Sequence, residues 1–256
     1  MSPYCLGAVA EPDAVRAAFE HGINFFFVSA DMHWPLYDAT RRGIVELLRS
    51  GAARRDDLVV AAVSYVTQPE FGHAPFEELL AALPGVGTID VKVAGGGYAP
   101  EIHARLARYR DLARPPARAL AASFHDRQAA RVALAERQLD LAYVRYNPAH
   151  PGARVDLFPH VGTRAPRRLY GFNSTRAYRD RNAWRALGVD DAELWLPEPD
   201  DHRRFVLSRP ELDGLLCAPR TRAAVDALVA CLARGPLSEE EEAHFLRLEE
   251  LALANE

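Results

Sequence analysis

The sequence is almost without lysine. Of its 31 basic residues, only Lys92 is a lysine; the other 30 are arginine. A GC-rich coding genome explains the skew most simply, yet the skew bounds the chemistry. A lysine Schiff base or lysine general base has one candidate. Cysteine is also scarce. Cys5, Cys217 and Cys231 are odd in number and widely spaced, and no CxxC or Cys/His ligand pattern appears. That excludes a disulfide framework, predicts no metal site and fits a reduced, cytoplasmic compartment. No long apolar run exists. The longest, GINFFFVSA, is far short of the roughly 20 residues of a spanning helix. The opening MSPYCLGAVAEPD lacks the basic and apolar regions of a signal peptide. There is no excess of positive charge: 35 acidic residues leave a net charge of −4. Nucleic acid and anionic membranes are therefore poor partners, and a small-molecule ligand is expected. The oligomeric state is not legible.

What is present is ordinary globular composition: 256 residues, 49% hydrophobic and 26% charged. Short apolar runs alternate with amphipathic stretches. Strands are read at 4–9, 24–28, 58–63, 88–93, 118–123, 139–146, 168–172 and 212–217. Helices are read at 13–21, 40–50, 76–82, 100–112, 127–137 and 221–233. A last helix opens at Ser238 with Glu241 three residues on, a capping box. Nearly every strand is followed by a helix. Eight βα units in about 250 residues predict a single-domain (β/α)8 TIM barrel over 1–256. The alternative, an open doubly wound sheet, is weakened because no GxGxxG opens a first helix. Gly95-Gly96-Gly97 reads as a flexible loop.

Function in such a barrel sits at the C-terminal strand ends. That filter selects Asp31, His33, Trp34 and Tyr37 after strand two, and Ser64 and Tyr65 after strand three. It selects Tyr98 after strand four, and Ser123 and His125 after strand five. Strand six supplies Tyr143, Arg145 and Asn147, with His150 beyond. Asn173, Ser174, Thr175 and Arg176 follow strand seven. Arg220, Thr221 and Arg222 follow strand eight.

Several stretches resemble the aldo-keto reductase superfamily. They are AAFEHGINFFFVSA, RDDLVVAA, TIDVKV, LDLAYVRYNPAH, FVLSRPELDGLLCAPRTRAAVDAL and GPLSEEEEAHFLRL, in the family's order along most of the chain. The resemblance implies the same barrel, with substrate loops and C-terminal tail cut back. It also implies NADP(H) in an extended groove and an Asp, Tyr, Lys and His tetrad that reduces carbonyls. The tetrad does not carry over. The aspartate position holds Val28 followed by Ser29, the lysine position Val63 and the histidine position Gly95. The tyrosine position falls near His33, or on Tyr37 if the loop carries an insertion. Without a cationic neighbour a tyrosine, with its reference pKa near 10, is a poor proton shuttle. Strand parity points Lys92 outward, away from the site. The family's Ser-Asn pair becomes Ser123-Phe124, and its strand-six glutamine becomes Tyr143. The chain resembles a divergent branch with NxFF, SY and RYNxAHxGA signatures that also lacks the tetrad.

The candidate roles follow. His33 beside Asp31 can act as acid or base, or as half of a metal pair that would need His125 or His150 as a third ligand. Tyr37 and Arg145 complete the catalytic set, with Arg145 seeking either Asp31 or an acidic ligand. Trp34, Tyr65, Tyr143 and Asn147 are candidate substrate contacts. Asn173, Ser174, Arg176, Arg220 and Arg222 lie where such barrels bind phosphate, so the cofactor is either none or NADP(H). His21, His103, His202 and His244 read as surface histidines on helices. The expectation is a barrel enzyme catalysing a redox-neutral step (cyclisation, elimination or isomerisation) on a small biosynthetic metabolite. The alternatives are an NADP(H)-dependent oxidoreductase with relocated residues and an inactive binding or scaffold protein.

Overall fold

The computed structural model describes residues 1–96, 101–111, 117–136, 138–161, 168–189 and 194–255. Tyr98 and three ends of two helices read in the sequence, Pro100, Leu112 and Arg137, lie outside these, as does Gly97.

Eight parallel strands close a barrel in sequence order, β1 returning to β8. They are β1 (Tyr4–Leu6), β2 (Phe25–Ser29), β3 (Val59–Ser64), β4 (Ile89–Ala94), β5 (Ala117–Phe124), β6 (Leu141–Arg145), β7 (Arg168–Phe172) and β8 (Gly214–Cys217). The helices are α1 (Pro12–Glu20), α2 (Asp38–Arg49), α3 (Ala74–Ala81), α4 (Glu101–Asp111), α5 (Arg127–Ala135), α6 (Ala153–Asp156), α7 (Arg181–Ala186), α8 (Pro199–Leu207), α9 (Arg222–Ala233) and α10 (Glu239–Asn255). The molecule is a (β/α)8 TIM barrel, as the alternation of runs predicts. None of these helices is long and apolar enough to cross a membrane.

The two-residue period of the strands divides the core. Phe25, Phe27, Ala61, Val63, Val91, Val93, Ala121, Leu141, Tyr143 and Tyr170 point inward and fill the barrel. Phe26, Val28, Val60, Ala62, Ala122, Phe124, Ala142 and Val144 point outward under the helices. Strands buried on both faces read as near-continuous apolar runs, which is why NFFFV and LVVAAV stand out in sequence. The inward residues pack the centre solidly, so the barrel is a core and not a pore.

Lys92 follows the outward parity. It is fully buried, and its Nζ lies 5.6 Å from the centroid of the Phe76 ring on α3. No hydrogen-bond partner reaches that Nζ. Burial lowers its pKa to about 8. The N-terminal end of the barrel is closed by another close approach. A Cβ on Gly214 would sit 2.1 Å from the Pro3 carbonyl oxygen and 2.7 Å from the Tyr170 ring, so only glycine fits there.

Helix ends follow local chemistry. Asp126 caps α5 by accepting from the Gln128 and Ala129 amides. Ser238 and Glu241 form the expected reciprocal box at the start of α10. The sequence puts His202 in a helical run without bounds; the structure bounds that run as α8. Glu198 and Asp201 box its first turn, and its buried Phe205 and Val206 join the outer core. Its dense charge (PDDHRR) hid that apolar face.

One histidine departs from expectation. His202 is buried, not on the surface. Its ring packs 4.7 Å from that of Phe245, and burial lowers its pKa to about 4.

Candidate active site

The C-terminal mouth has an aromatic floor. Phe27 meets Tyr143 edge-on at 5.2 Å and Tyr37 at 6.2 Å. The Tyr143 hydroxyl points down to the Cys5 sulfur, 3.7 Å away. Burial pushes both far above their ordinary pKa values. Tyr143 is wholly buried; it forms the floor and offers no polar group to a ligand above it. Phe124 points outward beneath the helices.

Loops after β2 and β3 make the first side of the mouth. Asp31 is the keystone of this side. Its Oδ2 accepts from the Ser64 hydroxyl at 2.7 Å and the Tyr65 amide at 2.8 Å. Its Oδ1 accepts from the Met32 amide. These bonds tie the two loops together. No hydrogen bond joins Asp31 to His33, so the expected dyad does not form. The His33 ring is exposed and stands edge-on to Tyr65 at 5.1 Å. Trp34 does not offer a bare wall. The Arg41 guanidinium lies 3.7 Å over its ring and donates to its carbonyl at 2.7 Å.

Tyr37 is partly buried against the floor, and desolvation raises its pKa well above the phenol range. Tyr65 and Cys5 raise it further. Val63 stands inside the barrel among apolar side chains. Gly95 explains the placing of Tyr65. A Cβ at position 95 would fall 2.5 Å from that ring and 2.8 Å from Val63. The Tyr65 ring thus fills the space a larger residue 95 would need. Arg105, buried on α4, donates to the Gly95 carbonyl at 2.8 Å and the Ser64 carbonyl at 2.6 Å. Sequence inspection missed this tether, because an arginine in a charged helix reads as solvated.

Loops after β5, β6 and β7 make the opposite side, and it is cationic. Arg145 ends β6 on the inward parity of Leu141 and Tyr143, paired in register with Phe172. The His125 ring stands edge-on to Phe172 at 5.1 Å. Asn147 is fully buried. It donates to the Asn173 carbonyl at 3.0 Å and meets His150 Nδ1 at 3.1 Å. Both ends of its amide are used, so it clamps two loops rather than touching ligand. The Arg176 amide closes the same turn onto the Asn173 carbonyl at 3.3 Å. Asn173 itself sits at φ 57°, the left-handed region that asparagine tolerates.

Burial, then Arg145 and Arg176, hold His125 below its ordinary pKa. Burial, then Arg145, Arg127 and Arg176, do the same to His150. Both shifts favour the neutral imidazole, although both residues stand exposed at the rim. Asp31, spoken for by Ser64 and Tyr65, is not the partner of Arg145. His125 and His150 were weighed in sequence only as spare metal ligands; their places at strand ends were the available signal. Among the described residues no three His, Cys, Asp or Glu side chains are grouped to hold a metal ion.

The expected phosphate residues divide. Ser174 is buried, whereas Arg176 and Arg220 are exposed. Arg222 is drawn away by carboxylates, bonding Asp13 at 2.7 Å and Glu20 at 3.2 Å. It belongs to the α1–α9 surface.

No family model and no curated protein matches the chain. Solved structures do. An aldo-keto reductase from Bacillus halodurans, AKR11C1 in its holo form, superposes with TM-score 0.72 at 15% identity, covering 96% of this chain and 91% of that one. A thermostable aldo-keto reductase, Tm1743, solved with the inhibitor epalrestat, gives TM-score 0.73 at 16% identity, covering 97% and 95%. At such identities the likeness is one of fold: the chain shares a (β/α)8 barrel with these two proteins over nearly its whole length.

Proposed function

We propose that this is an aldo-keto-reductase-like barrel enzyme that no longer runs tetrad carbonyl reduction and instead catalyses a redox-neutral step on a small metabolite. The observation that supports the reading is the placing of Val63 inside the barrel and of Lys92 outside it. The sequence resemblance puts the family's lysine position at Val63, and Val63 packs in the barrel core. The chain's single lysine is buried on the outer side of β4, against Phe76. A phenol such as Tyr37, with its pKa raised by burial and no cation acting on it, lacks the driving force to relay a proton.

The nicotinamide half of NADP(H) fits this mouth poorly. Tyr143 is sealed below the floor, and Phe124 faces outward. The Ser123 hydroxyl accepts from the Gly96 amide. At the strand-five and strand-six positions the chain offers Phe124 and Tyr143 instead of a side-chain amide, so no step is routed through the cofactor.

The cationic side suits proton transfer. A neutral imidazole, His125 or His150, can take a proton from a carbon next to a carbonyl or carboxyl group. Arg145 beside it stabilises the negative charge that develops. The same proton, returned elsewhere or lost with a leaving group, completes an isomerisation, cyclisation or elimination. His33, Tyr37 and Tyr65 face this pair across the mouth and orient the substrate.

The test is deuterium uptake. With a substrate found by metabolite screening, turnover in D2O without NADPH should place carbon-bound deuterium in the product of an isomerisation or cyclisation, or by exchange in the recovered substrate of an elimination, and Arg145→Ala should slow turnover at least tenfold. Turnover that consumes NADPH stoichiometrically would refute the reading. The second reading, an NADP(H)-dependent oxidoreductase, is favoured by Arg176 and Arg220 exposed at the phosphate end. Calorimetry with NADPH decides between them.

A further inference from the structure

The described side chains of the mouth carry an unbalanced charge. Arg145 is half-buried at the inward end of β6, and Arg176 is exposed on the turn after β7. Neither makes an ion pair or side-chain hydrogen bond among the described residues. Both act on both neighbouring imidazoles. The carboxylates nearby are committed elsewhere. Asp31 holds Ser64 and Tyr65, Asp126 caps α5, and Asp156 pairs with Arg127 at 2.6 Å. A half-buried guanidinium without a counter-ion is costly unless a ligand supplies one.

The clamp around Phe172 gives this cluster a fixed shape. Arg145 pairs with Phe172 in register, His125 packs on its ring, and Asn147 ties His150 to the following turn. His125 also lines a cleft of about 430 Å3 of mixed charge, where Arg127 and Arg131 stand with Asp126 and Asp156.

In a closed eight-stranded barrel, β2 and β3 stand across the ring from β6 and β7. Their loops are apolar where these are charged. Met32, Leu36 and Phe71 are 67%, 65% and 63% exposed there. Between the two sides lies the aromatic floor of Phe27, Tyr37 and Tyr65.

We infer that the mouth binds an amphipathic acid, its carboxylate or phosphate held by Arg145 and Arg176 between His125 and His150, and its apolar body lying over the aromatic floor towards Met32, Leu36 and Phe71. This rests on the redox-neutral reading only in naming its substrate class. Planar guanidinium forks suit both kinds of oxyanion. An anion there would also neutralise the two arginines that depress the imidazoles, so binding should raise the pKa of His125 and His150.

Calorimetry with phenyl phosphate, phenylacetate, inorganic phosphate and NADPH tests this, together with histidine-ring NMR. Either aromatic acid, or both, should bind in the millimolar range or tighter, and better than inorganic phosphate. Arg145→Met and Arg176→Met should each weaken binding by about tenfold or more, as loss of a charge-assisted hydrogen bond does. Arg222→Met should leave it unchanged. The second variant sits on an exposed turn, so the test survives a misfolded first one. Failure of both acids to bind would overturn the inference. So would binding indifferent to both arginines, or histidine pKa values that stay put on saturation. Competition by NADPH for the arginines would assign them to cofactor phosphate instead and would also overturn it. Hydride transfer without such competition would sink the redox-neutral reading and leave the anion site standing.

Discussion

Replacing the one lysine should stabilise the protein. Lys92 is a charged group with nothing to offset it among the described residues: it is fully buried, its Nζ has no hydrogen-bond partner, and it lies over the face of Phe76. Burial takes its pKa from the ordinary 10.5 to about 8. At about 1.4 kcal/mol per pH unit, holding it protonated in the folded state costs about 3 kcal/mol. Its contact with Phe76 returns roughly 0.5–1 kcal/mol. Methionine has a similar length, no charge and a flexible apolar chain, so Lys92→Met should gain about 2 kcal/mol at pH 7. For a chain of this size that is a rise in Tm of roughly 4–8 °C.

The pH dependence gives the stricter test. Between the folded value near 8 and the unfolded value, the unfolded chain binds more protons. Wild-type stability should therefore rise with pH through that window, and below it the penalty is fully present. Lys92→Met removes this slope. Urea unfolding followed by circular dichroism at a series of pH values reads both effects. A variant less stable than wild type at pH 7, or one that keeps the alkaline rise, would refute the reasoning.

His202 should give the matching effect on the acid side. Its pKa near 4, set by burial, lies below the unfolded value. Stability should then fall as pH drops from about 6.5 to 4, by up to about 3 kcal/mol, and melts of His202→Leu should show a shallower acid limb. At the mouth, Gly95→Ala places a methyl against Tyr65 and Val63 and should cost about 1–3 kcal/mol. Adding Tyr65→Ala should recover part of that cost; strict additivity in the double variant would contradict the close contact. Asp31→Asn should lower stability by about 1–3 kcal/mol through its weakened bonds to Ser64 and Tyr65, with Ser64→Ala producing a smaller loss by the same denaturation assay.

How far the sequence foretold this depends on which physics governed each part. The barrel was legible because strands buried on both faces leave a plain signature: apolar runs such as LVVAAV, evenly spaced and followed by helices. Lys92 was legible because side-chain alternation along β4 is rigid. The bounds of helix α8 were not, since its apolar face is two buried residues among charges. His202 was misread, and Arg105 went unnoticed, for the same reason. A polar residue on a polar helix gives no hint that its own face is the buried one; only packing against Phe245, or tethers to the Gly95 and Ser64 carbonyls, decides it. At the mouth, position in the chain named the right loops but not the partners. Asp31 and His33 are two residues apart and unbonded, while Asp31 and Tyr65 are distant in sequence and joined at 2.8 Å.

The two halves of the mouth also explain each other. On the β3 side Tyr65 lies over Gly95 and Val63 faces the core, so these side chains offer a carbonyl group no charge. Charge has to come from elsewhere. It comes from the β6 side, where Arg145 takes an inward position. That position decides what the cation can do. Beside a buried phenol it would favour a phenolate that relays protons. Beside His125 and His150 it favours neutral imidazoles, ready to accept protons, and leaves the guanidinium to meet a negative charge on the ligand. Had the structure paired Arg145 with Asp31, that argument would fail, because the carboxylate would satisfy the guanidinium without a ligand. The bonds from Ser64 and Tyr65 to Asp31 are what leave the cationic side open.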